Sequence, residues 1–85
     1  MKVNKEMIEG IIETLLELVD DNTVPKNIKS KINEIINVLK KDNDESINIS
    51  KALGMIEEIS DDNNIQPYTR TQIWNIASAL ETAQL

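Results

Sequence analysis

Four stretches of this chain repeat apolar residues at three- and four-residue steps, the period of a helix with one buried face. In the first, Met7, Ile8, Ile11, Ile12, Leu15, Leu18 and Val19 form the stripe and Glu6, Glu9, Glu13 and Glu17 the opposite face. This predicts a helix over about 4–20. The second stretch, 25 to about 41, points Ile28, Ile32, Ile35, Ile36 and Leu39 inward and ends in Lys40 and Lys41, where the helix dipole favours cations. The third, from Glu45 or Ser46 to about Ser60, buries Ile49, Ala52, Leu53, Ile56 and Ile59. Gly54 within it either weakens the helix by about 1 kcal/mol relative to Ala or marks a close helix crossing. The fourth starts at Pro67 and turns Ile73, Ile76, Ala77, Leu80 and Ala83 to the core. Between them, Asp21-Asn22-Thr23, Asp42-Asn43-Asp44 and residues 61–66 break the periodicity. Pro25 and Pro67 suit a first helical position, where the missing N–H costs nothing.

The pattern is written twice. Asp20-Asp21-Asn22 recurs 41 residues later as Asp61-Asp62-Asn63. At the same offset Glu17 meets Glu58, Ile32 meets Ile73, Ile35 meets Ile76 and Leu39 meets Leu80, all identical. Ile8 with Ile49 is a further identity, and Ile12 with Leu53, Leu15 with Ile56, Leu18 with Ile59, Val24 with Ile65 and Lys29 with Arg70 are conservative pairs. The matches fall on the apolar stripe and the turn, so what is repeated is a helical hairpin, over about 4–41 and 45–84. Pro25 and Pro67 are 42 residues apart, which predicts a second connector one residue longer than the first.

Two antiparallel hairpins most simply close into an all-α, four-helix, up-and-down bundle in one domain of 85 residues. The rival is a solenoid fragment, since a helix-turn-helix period near 41 residues fits HEAT-type repeats. Two such repeats leave both ends open, which closure or dimerisation removes. The 40% apolar content is aliphatic, with no Phe, one Tyr and one Trp, as helix-on-helix packing requires. A chain this short buries about 60–65% of its unfolded surface, so stability is modest unless it self-associates.

Composition then removes whole classes of chemistry. With neither Cys nor His there is no thiol nucleophile, no structural zinc of the usual ligands and no imidazole base. Acids start at Glu6, too early for a signal peptide, and no apolar run reaches about 18 residues, so a soluble, cytoplasmic protein without membrane contact is expected. The net charge of −6 is uneven: residues 1–22 sum to −4, 23–41 to +4, 42–66 to −6 and the remainder to zero. That overall sign argues against a dedicated nucleic-acid binder.

The paired acids Asp20, Asp21, Asp61 and Asp62 invite a metal reading, because hard cations take carboxylate oxygens. A calcium loop counted from Asp61 requires glycine at Gln66 and glutamate at Gln72; counted from Asp42, the same places hold Ile47 and Leu53. No metal and no cofactor is therefore expected, and the acids are read as helix ends and caps. Arg70, the sole arginine, lies near a helix N-terminus and opposes the dipole, so it is expected to pair with a carboxylate of Asp61, Asp62, Asp20 or Asp21. The alternative is a guanidinium fork that captures an anionic ligand. Trp74 lies one position off the stripe, so it is expected to lid the core edge. With Tyr68 and Arg70 it also marks the best candidate partner surface, since these residue types dominate interface hot spots. Lys26, Lys29, Lys40 and Lys41 are candidate phosphate contacts without an aromatic stacking platform. No base, nucleophile and oxyanion donor converge, so the chain is read as no enzyme.

Val24-Pro25-Lys26-Asn27-Ile28-Lys29, Glu57-Glu58-Ile59-Ser60 and above all Arg70-Thr71-Gln72-Ile73-Trp74-Asn75-Ile76 resemble uncharacterised protein family 0147, small archaeal proteins. The resemblance covers essentially the whole chain. It implies a four-helix bundle of bromodomain-like, up-and-down topology and implies no activity. The family tends to carry arginine where this chain has Lys29, which sets the two repeats apart. The function expected is a non-enzymatic protein–protein interaction module that self-associates as a dimer. The alternative is a nucleic-acid or ribosome-associated accessory protein that uses the lysines of the second helix.

Overall fold

The computed structural model describes residues 4–41 and 44–84. Its helices are α1 (Lys5–Val19), α2 (Lys26–Lys40), α3 (Glu45–Ser60) and α4 (Pro67–Ala83). Each forms where the apolar period predicts it. The N-termini of α1 and α3 are capped by side chains that satisfy otherwise orphaned N–H groups. Asn4 Oδ1 accepts from the Met7 N–H at 3.2 Å, and Asp44 Oδ1 from the N–H groups of Ser46 at 3.0 Å and Ile47 at 3.3 Å. The expected break at Asp42-Asn43-Asp44 lies partly outside the described residues, with only Asp44 inside them.

The expectation of a longer second connector is corrected. Both connectors, 20–25 and 61–66, hold the same number of residues, and α2 and α4 begin 41 residues apart. The helix start keeps its register while the proline moves across it. Pro25 is the N-cap of α2, with φ −58° and ψ 149°, and Pro67 is the first residue of α4. A ring that fixes φ near −65° and lacks an N–H is tolerated at either place, so proline position is a poor ruler for loop length. The two turns match in cap geometry and burial. Asp20 and Asp61 end their helices at φ −82° and −83°, and Val24 and Ile65, at matched places, are both buried.

Closure decides between bundle and solenoid. Each helix packs on two neighbours, α1 on α2 and α4, and α3 on α2 and α4, while the diagonal pairs stay apart. The α1–α4 contact is the one a solenoid fragment lacks. It is fastened by the Asn4 N–H, which donates to the Ala83 carbonyl at 3.2 Å. The bundle measures 36 × 19 × 19 Å, and its core of Ile, Leu, Val and Ala contains no aromatic ring. Leu15, Ile32, Ile35, Ile49, Ile56, Ile73 and Leu80 are its largest fully enclosed apolar side chains.

Two polar residues are also buried. Asn48 donates through Nδ2 to the Lys41 carbonyl at 3.1 Å and so ties the end of α2 to α3. Thr69 occupies the place that Ile28 fills in the first repeat. Gly54 marks no close crossing: it is exposed, and a β-carbon there would meet nothing within 4 Å.

Candidate interaction surface

Arg70 and the four connector acids were the natural place to seek chemistry, and the structure assigns them a different bond from the one expected. The Arg70 guanidinium donates through Nη1 to the Ser60 carbonyl and through Nη2 to the Asp62 carbonyl, the latter at 2.8 Å. Its partners are main-chain oxygens, not the carboxylates of Asp61, Asp62, Asp20 or Asp21. The physical reason is the end of α3, whose last carbonyls have no intrahelical donor and carry the negative end of the dipole. A planar fork satisfies one of them, that of Ser60, together with the connector carbonyl of Asp62. In the first repeat Lys29 is half-buried and lies close enough to Asp21 to favour its ionised form, but makes no ion pair among the described residues.

The acids shape the turns. Asp21 Oδ1 accepts from the Thr23 N–H at 2.8 Å and the Thr23 hydroxyl at 2.7 Å; Asp62 Oδ1 accepts from the Asn64 N–H at 2.8 Å. These are Asx turns, in which a side chain mimics a backbone acceptor. The hydroxyl of Thr23 first, then its N–H, hold the Asp21 carboxyl below its ordinary range, with Lys29 a smaller contribution. Asp62 Oδ2 also accepts from Asn27 Nδ2 at 3.4 Å, which joins the two turns across the same end of the bundle. Among the described residues no three acidic side chains converge as metal ligands.

The aromatic residues face outward. Trp74 is 58% exposed and Tyr68 67%, so the lid expectation for Trp74 is corrected. One residue beyond Ile73 is a rotation of about 100°, enough to carry the ring past the core margin. Tyr68 and Trp74, six residues apart, point about 120° from one another around α4. Trp74 shares a stripe with Arg70 and Ala77 on the side that reaches α3. Tyr68 heads the other side, where its hydroxyl accepts from Gln72 Nε2 at 2.8 Å. Gln72, Asn75 and Ala79 there border a groove of about 270 Å³ with Met7, Gly10 and Thr14 of α1. The three residues therefore flank α4 on two sides instead of forming one patch.

The candidate phosphate contacts are likewise divided. Lys26 and Lys29 begin α2, and Lys40 and Lys41 end it, about 20 Å away at 1.5 Å per residue. Lys40 and Lys41 border a crevice of about 390 Å³ among α1, α2 and α3, floored by Ile8, Ile12, Leu39 and Ile49. An ion pair between Lys5 and Glu45, 3.6 Å, spans its rim. Two exposed apolar residues escaped the sequence reading, Leu16 at 44% and Ile47 at 50%. Leu16 was detectable: it is the second half of the Leu15-Leu16 doublet, and only Leu15 keeps the period of the stripe.

Comparison with known proteins gives one consistent answer. The model of the Uncharacterised protein family (UPF0147) matches residues 1–83. A UPF0147 protein of Methanosarcina mazei is 34% identical over 80 residues, 93% of this chain and 86% of that one. Among solved structures, the unknown function protein MMP1188 has a TM-score of 0.89 at 33% identity and covers 100% of this chain and 99% of its own. A UPF0147 protein from Thermoplasma acidophilum has a TM-score of 0.89 at 26% identity, over 94% of this chain and 95% of its own.

Proposed function

We propose that this chain, which belongs to the uncharacterised protein family UPF0147, is a non-enzymatic protein-binding module whose partner contacts use Trp74 and Tyr68 on the two flanks of α4. One observation carries the reading: the two aromatic residues of the chain are both exposed, while the core closes with aliphatic residues alone. Large aromatic surfaces left in water are unfavourable, and they supply much of the binding energy where partners meet. The repeat strengthens the point. At the equivalent places the first hairpin has Asn27 and Asn33, so the fold requires no ring at either. No helix among the described residues is long and apolar enough to cross a membrane.

The test is affinity capture from native archaeal extract with wild-type protein and with Tyr68→Asn/Trp74→Asn, which gives the second repeat the residues of the first. The reading expects a stoichiometric partner with the wild type that the folded double variant loses. A partner retained by the variant refutes the aromatic surface. Salt-sensitive retention on RNA, abolished by Lys26→Ala with Lys29→Ala, would instead favour the nucleic-acid reading.

A further inference from the structure

We infer that the α1–α2 face pairs with the same face of a second copy, as a two-fold dimer whose axis runs parallel to the helices. This goes beyond the aromatic contact surface and uses a different side of the bundle.

One side of α1 looks toward α2. Lys5, Glu9 and Ile12 border the crevice shared with Leu39, Lys40 and Lys41, which fixes that side. Four residues beyond Ile12, one helical turn on the same stripe, is the exposed Leu16. The α1–α2 groove therefore carries an uncovered leucine. Around it, the outer face of α1 is acidic, with Glu9 and Glu13 exposed, and that of α2 is basic, with Lys26 and Lys40 exposed. None of these four takes part in an ion pair among the described residues. Opposite charges on adjacent helices are thus turned outward and left unused.

Such a face is complementary to itself in one orientation. A two-fold axis across the helices sets α1 on α1 and acid against acid. An axis along them sets the acidic α1 of each copy on the basic α2 of the other and brings both Leu16 side chains beside the axis. Net charge selects the same half of the molecule. Residues 1–41 sum to zero and residues 42–85 carry the whole −6, so pairing through the first half avoids the repulsion that pairing through the second would incur. Size is sufficient: a side 36 Å by 19 Å can bury roughly 1,200 Å² between two copies, the lower range of specific interfaces.

Sedimentation equilibrium of the full chain, from about 10 to about 500 µM, tests the pairing. The wild type is expected to dimerise at about 50 mM NaCl and to weaken at least tenfold at about 500 mM. Leu16→Asp, at an exposed position, is expected to weaken it at least tenfold as well. Glu9→Lys/Glu13→Lys and Lys26→Glu/Lys40→Glu should each be monomeric, and their equimolar mixture should dimerise, because acid then meets base at both contacts. That rescue also shows that both variants are folded. A wild type that stays monomeric throughout, a dimer unaffected by either charge reversal, or a mixture of two folded variants that remains monomeric overturns the inference. The capture experiment with Tyr68→Asn/Trp74→Asn is read independently, so failure here leaves the aromatic surface standing.

Discussion

Replacing Arg70 by methionine keeps the aliphatic stem and removes the fork that clips α4 to the end of α3. Two hydrogen bonds to carbonyls are lost, those to Ser60 and Asp62. A bond from a charged group contributes about 1.5–3 kcal/mol when buried. Arg70 is only half-buried, and the gain of a cation at the C-terminus of α3 is offset by its position near the N-terminus of α4, so the pair together is worth about 2 kcal/mol. In a domain of this size that lowers Tm by roughly 8–16 °C. Arg70→Lys, which keeps the charge but not the fork, should lose about half as much. Lys29→Met, at the matched place without such bonds, should lose about 0.5 kcal/mol or less. Urea unfolding followed by circular dichroism at fixed protein concentration is the assay, because Trp74 is exposed and its fluorescence reports little on the core. Two results refute the reasoning: Arg70→Met within about 0.5 kcal/mol of wild type, or Asp61→Asn or Asp62→Asn as costly as Arg70→Met. The second would mean that the carboxylates, not the carbonyls, hold the guanidinium.

Other substitutions probe separate parts of the fold. Gly54→Ala, exposed in mid-helix with open space where the methyl would go, should raise stability by about 0.5–1 kcal/mol in the same assay. Asn48→Ala leaves the Lys41 carbonyl without its buried donor and should cost about 1–3 kcal/mol, with faster amide exchange at the start of α3. The Asp21 carboxyl has its pKa lowered on folding, so its contribution is complete above the ordinary aspartate value of 3.8 and is lost as pH falls through the lower folded value. Thr23→Val should therefore lower stability at neutral pH, leave it nearly unchanged below the folded value, and so flatten the acid limb of the stability–pH curve.

Period and repetition made the architecture legible, because a stripe of Ile and Leu at helical steps has one way to be buried and four stripes on short connectors have one simple closure. The 41-residue offset even predicts the turns, where Asp21 and Asp62 make matching Asx bonds. Proline misled on loop length because it fits two adjacent positions at a helix start. Arg70 misled because charge pairing is visible in sequence and the unpaired carbonyls of a helix end are not. Trp74 shows the limit of periodicity: one position off the stripe spans everything from core margin to open solvent. Burial of Asn48 was equally hidden, since its partner is a main-chain oxygen seven residues earlier.

In the proposed function the rings of Tyr68 and Trp74 serve contacts outside the chain and not the packing within it. Thermal unfolding of Tyr68→Asn/Trp74→Asn tests this most directly. With 58% of Trp74 and 67% of Tyr68 already in solvent, the account predicts a cooperative, fully helical protein destabilised by about 1–2 kcal/mol. A loss at or above the 3–5 kcal/mol typical of truncating a single core aromatic, or a chain that no longer folds, would contradict it.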